Sequence, residues 1–142
     1  YRLAESAYAV DTRTLPEGRY RVRVIANDSP ENPPGTARHS AAATADFVVD
    51  HSAPVFNGLR ILRENGEIWL EFEVRDELSR LSSVRLAVDA GEWQKLAPVD
   101  GLCDTQHERF HVPLPKNANG QVVALRATDA SGNTGYTWTE VK

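Results

Sequence analysis

Along the stretch EIWLEFEVRD, Ile68, Leu70, Phe72 and Val74 alternate with Trp69, Glu71, Glu73 and Arg75. A period of two sends successive side chains to opposite faces, so this stretch predicts a strand with one apolar and one polar face. VRLAVD repeats the pattern with Val84, Leu86 and Val88 inward, ERFHVPL with Phe110, Val112 and Leu114, and QVVALRATD with Val123, Leu125 and Ala127. Pro113 cannot donate to a ladder and predicts an edge strand or a strand end. VFNGLRILRENGE supplies an earlier strand closed by an Asn65-Gly66 turn, DAGEW a Gly-containing hairpin turn before Trp93, and GYTWTEV the last strand. No window holds an i, i+3, i+4, i+7 apolar stripe for three turns, so helices are not expected.

Residues 51–142 thus carry about seven short strands in roughly 90 residues, the pattern of one β-sandwich. VVDHSAPVF marks a boundary, where Ser52 and Pro54 interrupt two apolar runs. Residues 1–50 offer three strands, SAYAVDT, RYRVRVIA and ADFVVD, with NDSPENPPGTARHSAAATA as a long loop. Three strands cannot cover both faces of a two-sheet core. Parity puts Tyr20, Val22 and Val24 on one apolar face that needs covering, by residues 51–142 or by a second copy of the chain.

One phrase occurs twice. YRVRVIANDSPEN and VVALRATDASGN each run a strand into Ala-x-Asp and close with Asn four residues after the aspartate. The second copy follows a domain's length of chain and the first fewer than twenty residues. The expectation is that residues 1–50 are the closing strands of a truncated sandwich and 51–142 a complete one. The absence of any Met fits a piece of something longer.

Composition narrows the function. A net charge of −4 argues against a general nucleic-acid surface. No apolar run approaches the ~20 residues of a membrane span. The single Cys103 excludes an internal disulfide.

At VDTRTLPEGRYRVRVIANDSPENPPG and FVVDHSAPV the chain resembles tandem fibronectin type III and Ig-like modules of bacterial secreted multidomain proteins. VRLAVDAGEWQKLAPVDG and RATDASGNTG resemble segments of the following module. The resemblance implies an all-β Ig-like or fibronectin-like fold, extracellular or periplasmic, with adjacent domains of the parent chain as partners. It also implies that Leu15, Gly18 and Tyr20 form a tyrosine corner, which Val122 interrupts in the second module. The expected role is a non-catalytic spacer or interaction module, without cofactor, nucleic-acid partner or membrane span.

Asp28, Asp129, Gly132 and Asn133 read as turn residues, the carboxylates accepting backbone N–H groups. Calcium takes six to eight oxygens, so Asp50 and Asp76 would have to join them; without an Asp-x-Asp-x-Asp loop the turn reading is preferred and no metal is assigned. Cys103, His107 and His111 invite zinc, but on a strand the two histidines stand about 13 Å apart at ~3.3 Å per residue. Cys103 is expected to be a half-buried filler, and Glu71 and Glu73, on one side of one strand, solvent-facing charges rather than a glycosidase pair. No Gly-x-Ser-x-Gly elbow or triad frame is present, so an enzyme is not expected. Trp69, Trp93 and Trp138 are the candidates for stacking a sugar or anchoring a partner, the alternative being a carbohydrate-binding accessory module. Arg19, Arg21 and Arg23 form a basic outward stripe. Parity leaves open the facing of Tyr136 and Trp138 and the burial of Trp93.

Overall fold

The computed structural model describes residues 8–33 and 35–142. The chain divides into two compact units, the first ending at Val49 and the second running from Asp50 to Lys142. The described residues are all-β, built from antiparallel pairs with one short 3-10 turn.

In the first unit, the 3-10 turn Thr12–Thr14 starts at Asp11, whose carboxylate accepts the Arg13 N–H. Strand β1 (Gly18–Tyr20) pairs with β4 (Phe47–Val49), and the Tyr20 and Phe47 rings stack with centroids 6.0 Å apart. Strand β2 (Arg23–Asn27) pairs with β3 (His39–Ala43). Three expectations are corrected here. The described part of SAYAVDT, from Tyr8, is not a strand; Asp11 draws the chain into the 3-10 turn instead. The supposed loop before Asp46 contains β3, whose small Ser and Ala side chains give no apolar alternation but leave the backbone free to pair. RYRVRVIA also breaks into two strands at Arg21-Val22, where the Thr44 hydroxyl accepts the Val22 N–H. Every residue of β2 and β3 is exposed, Val24 and Ile25 by more than half.

The second unit holds seven strands in two sheets. One has the order β5 (Val55–Glu64), β6 (Glu67–Arg75), β9 (His107–Leu114). The other runs β11 (Thr134–Glu140), β10 (Val122–Asp129), β7 (Leu81–Val88), β8 (Gln94–Leu96). Pro113 lies on β9, an edge strand, where its missing N–H breaks no ladder. The β5–β6 hairpin turns at Asn65 and Gly66, both with positive φ (51° and 79°), the conformation a type I′ turn needs. After β7 the left-handed residues are Asp89 and Ala90 rather than the glycine expected, and Gly91 closes the turn through its N–H on the Val88 carbonyl.

The alternation becomes the core. Ile68, Leu70, Phe72 and Val74 face Val84, Leu86, Val123, Leu125 and Ala127 across the sheets, each at most 5 % exposed. Phe72 and Phe110, opposite one another on β6 and β9, stack with centroids 4.8 Å apart. Each large side chain buried in this way contributes about 1.5–3 kcal/mol.

Candidate metal centre

Three carboxylates meet in the second unit. Asp50 is its first residue, Asp76 follows the last residue of β6, and Asp129 is the last of β10. One oxygen from each lies within 4.8 Å of the others, and the three residues are 7 %, 5 % and 2 % exposed. Asp76 begins the crossing from one sheet to the other and Asp129 the turn into β11, so sheet packing alone brings them to Asp50.

Each carboxylate is held by its own turn. Asp76 Oδ1 accepts the N–H groups of Leu78 and Ser79 at 3.0 and 2.7 Å. Asp129 accepts from Asn133 twice, through the backbone N–H on Oδ1 and the side-chain amide on Oδ2, both at 2.9 Å. Asp50 Oδ1 accepts the Ser52 N–H at 3.1 Å, while Asp50 Oδ2 is buried with no hydrogen-bond partner among the described residues. The Asn133 amide also donates to the Asp50 carbonyl, and the Ser79 and Ser131 hydroxyls bond nearby at 2.8 Å.

This arrangement is electrostatically costly. Two ionised carboxylates about 5 Å apart repel by roughly 3 kcal/mol at an effective dielectric near 20. Burial holds the Asp76 carboxyl above the ordinary aspartate range, the Ser79 and Leu78 N–H groups work against that rise, and the charges of Asp50 and Asp129 add to it. The ion pairs Arg60–Glu71, Arg21–Asp46 and Arg13–Asp11 all lie elsewhere.

The repeated phrase makes two different turns. The Asn32 side chain donates to the Asp28 backbone carbonyl, and the Asp28 carboxylate accepts the Arg38 N–H. In the second copy the Asn133 side chain reaches the aspartate carboxylate and Asp50, with Gly132 at φ 91°. Only Asp129 joins the cluster.

The other candidates are differently placed. His107 and His111 are exposed on β9 and bond to Glu73 and Glu71 at 3.0 and 2.9 Å. Glu71 also takes the Arg60 guanidinium, which together with His111 holds its carboxyl below the usual range. The Cys103 thiol is half-buried against the core and pushed up to about 11, chiefly by burial and then by the charge of Glu108. At neutral pH it is a poor nucleophile and a poor metal ligand. Buried Glu108 is itself spoken for, taking the N–H groups of Asp104 and Thr105 and the Thr105 hydroxyl.

Trp69 is half-buried and stacks on His111, centroids 4.4 Å apart, so it is less available than its outward parity suggests. Trp93 is half-buried beneath the Arg126 guanidinium, 4.7 Å from the ring centroid. Tyr136 and Trp138, by contrast, stand on the outer face of β11, 66 % and 68 % exposed. Thr137 and Thr139 sit opposite Leu125 and Val123 and take the inner face. Arg19, Arg21 and Arg23 are exposed, Arg21 bonding Asp46 at 2.7 Å. The Tyr20 hydroxyl donates to the Pro16 carbonyl at 2.7 Å, next to Leu15 and Gly18. No helix among the described residues is long and apolar enough to cross a membrane. Comparison with protein families, with curated proteins and with solved structures found no match to this chain.

Proposed function

We propose that this chain is a non-catalytic structural spacer or protein-interaction module of a larger secreted bacterial protein, working outside the cell or in the periplasm. The fold proposed for residues 51–142 is Ig-like or fibronectin type III-like, a reading supported by the three-plus-four strand arrangement. The observation that carries the spacer role is the fastening of Asp50. Its carbonyl is tied to Asn133 across 83 residues of sequence and its carboxylate to Ser52, so the chain enters the second unit at a fixed place. A module that passes force or holds neighbours apart needs its ends anchored in its core.

Adjacent domains of the parent are the proposed partners, together with a second copy of the chain that covers the face of Tyr20, Val22 and Val24. The test is a screen of the purified chain against chromogenic esters, phosphates and glycosides. No turnover is expected; a rate that one substitution abolishes would overturn the reading.

A second reading has its own observation. Tyr136 and Trp138 are two residues apart on one strand face, and exposed rings at that spacing suit the stacking of successive sugars. Affinity electrophoresis in soluble polysaccharides decides it. Retardation lost in Trp138→Ala supports a carbohydrate-binding module, and unchanged mobility in every polysaccharide removes it.

A further inference from the structure

We infer that Asp50, Asp76 and Asp129 bind one divalent cation of the calcium type, which ties the chain's point of arrival in the second unit to the ends of β6 and β10. Two observations carry this independently. The first is the convergence of three buried carboxylates, one oxygen of each within 4.8 Å of the others. The second is Asp50 Oδ2, the buried side-chain oxygen without a hydrogen-bond partner among the described residues, on one of the carboxylates that converge there. A buried polar atom left without a partner is rare because its desolvation is not repaid. Here a cation supplies the missing partner.

The chemistry selects the ion. The donors are carboxylate oxygens, which favour hard cations over the nitrogen and sulfur preferences of zinc. Calcium accepts oxygens at about 2.3–2.6 Å in loose geometries, so two ligands on opposite sides of the ion can stand about 5 Å apart. Magnesium needs bonds of about 2.1 Å and a near-ideal octahedron, which turns anchored on three separate segments are less able to supply. The anchoring also lowers the ordering cost. Asp76 is fixed by Leu78 and Ser79, Asp129 by Asn133 and Asp50 by Ser52 before any ion arrives.

The inference is independent of the spacer reading: calcium binding can fail while the module remains non-catalytic, and the reverse. The experiment titrates calcium chloride into the full chain after EDTA treatment, by calorimetry and by thermal unfolding. Expected are one calcium per chain and a melting midpoint raised by more than about 5 °C at saturating calcium. Asp50→Asn keeps the shape and the acceptor for the Ser52 N–H but removes one charge. It is expected to weaken calcium binding at least tenfold and, in EDTA, to melt above the wild type, because three-way repulsion is relieved. Asp28→Asn in the first unit is expected to leave the calcium response unchanged. The inference is overturned by no heat and no midpoint shift in the wild type, by an undiminished calcium response in Asp50→Asn, or by zinc binding tighter than calcium.

Discussion

The Asn133 side-chain amide donates to the Asp50 carbonyl at 3.1 Å and to the Asp129 carboxylate at 2.9 Å, so one side chain joins the beginning of the second unit to its penultimate strand. With the backbone N–H bond to Asp129 Oδ1 this makes Asn133 the keystone of the β10–β11 turn. Asn133→Ala keeps the backbone bond and removes both side-chain bonds, leaving the Asp50 carbonyl and an aspartate oxygen short of donors. The expected loss is about 1–3 kcal/mol, read from urea unfolding. Asn32→Ala, which removes a side-chain bond to the local Asp28 carbonyl, is expected to change stability by less than about 1 kcal/mol. Equal effects of the two substitutions would contradict the distinction between the turns.

Gly135 is needed for a different reason. It sits on β11 with ordinary backbone angles, but a Cβ there would fall well inside van der Waals contact of the Pro54 carbonyl oxygen. The obstacle is backbone, which cannot swing away as a long side chain can. Gly135→Ala is therefore expected to destabilise the second unit by about 1–3 kcal/mol, despite Ala being the better strand residue. A neutral result would mean that the segment at Pro54 can move off β11.

These two positions show where sequence reasoning reached and where it stopped. Alternation identified the inward residues of β6 and β10 because one buried face imposes a period of two. It was silent on β11, where threonines turn inward and Tyr136 and Trp138 outward, reversing the usual polarity. Asp129 was legible as a turn residue, since Asn133 and Gly132 follow it closely. Its meeting with Asp50 and Asp76 was not, because the three come from separate parts of the chain and only sheet packing joins them. In the first unit β3 was not legible, because its His-Ser-Ala-Ala-Ala sequence has no apolar face to read.

Cys103 offers a kinetic check on its surroundings. Its thiol is raised from 9.0 to about 11, first by burial and then by Glu108. At pH 8 the thiolate fraction is then about a hundredfold smaller in the folded chain than in the unfolded one. Iodoacetamide labelling is expected to slow by at least that factor when urea is removed. Rapid labelling of the folded chain at pH 8 would show the thiol to be activated and would reopen a redox or nucleophilic role.

The acid limb of stability should carry the signature of Glu71. The Arg60 guanidinium, and after it His111, hold the Glu71 carboxyl below its ordinary value of 4.5. Below that value the unfolded chain takes up a proton that the folded chain refuses. The stabilisation is therefore fully present above pH 4.5 and is lost as pH falls through the lower folded value. Glu71→Gln cannot titrate, so its urea midpoint should fall less than the wild type's between pH 5 and pH 3. The difference should be small, because the Arg60 side chain is 67 % exposed and solvent screens the pair. Added salt should shrink it further. Parallel pH profiles for the two proteins would mean that the Arg60–Glu71–His111 contacts contribute nothing to the folded state.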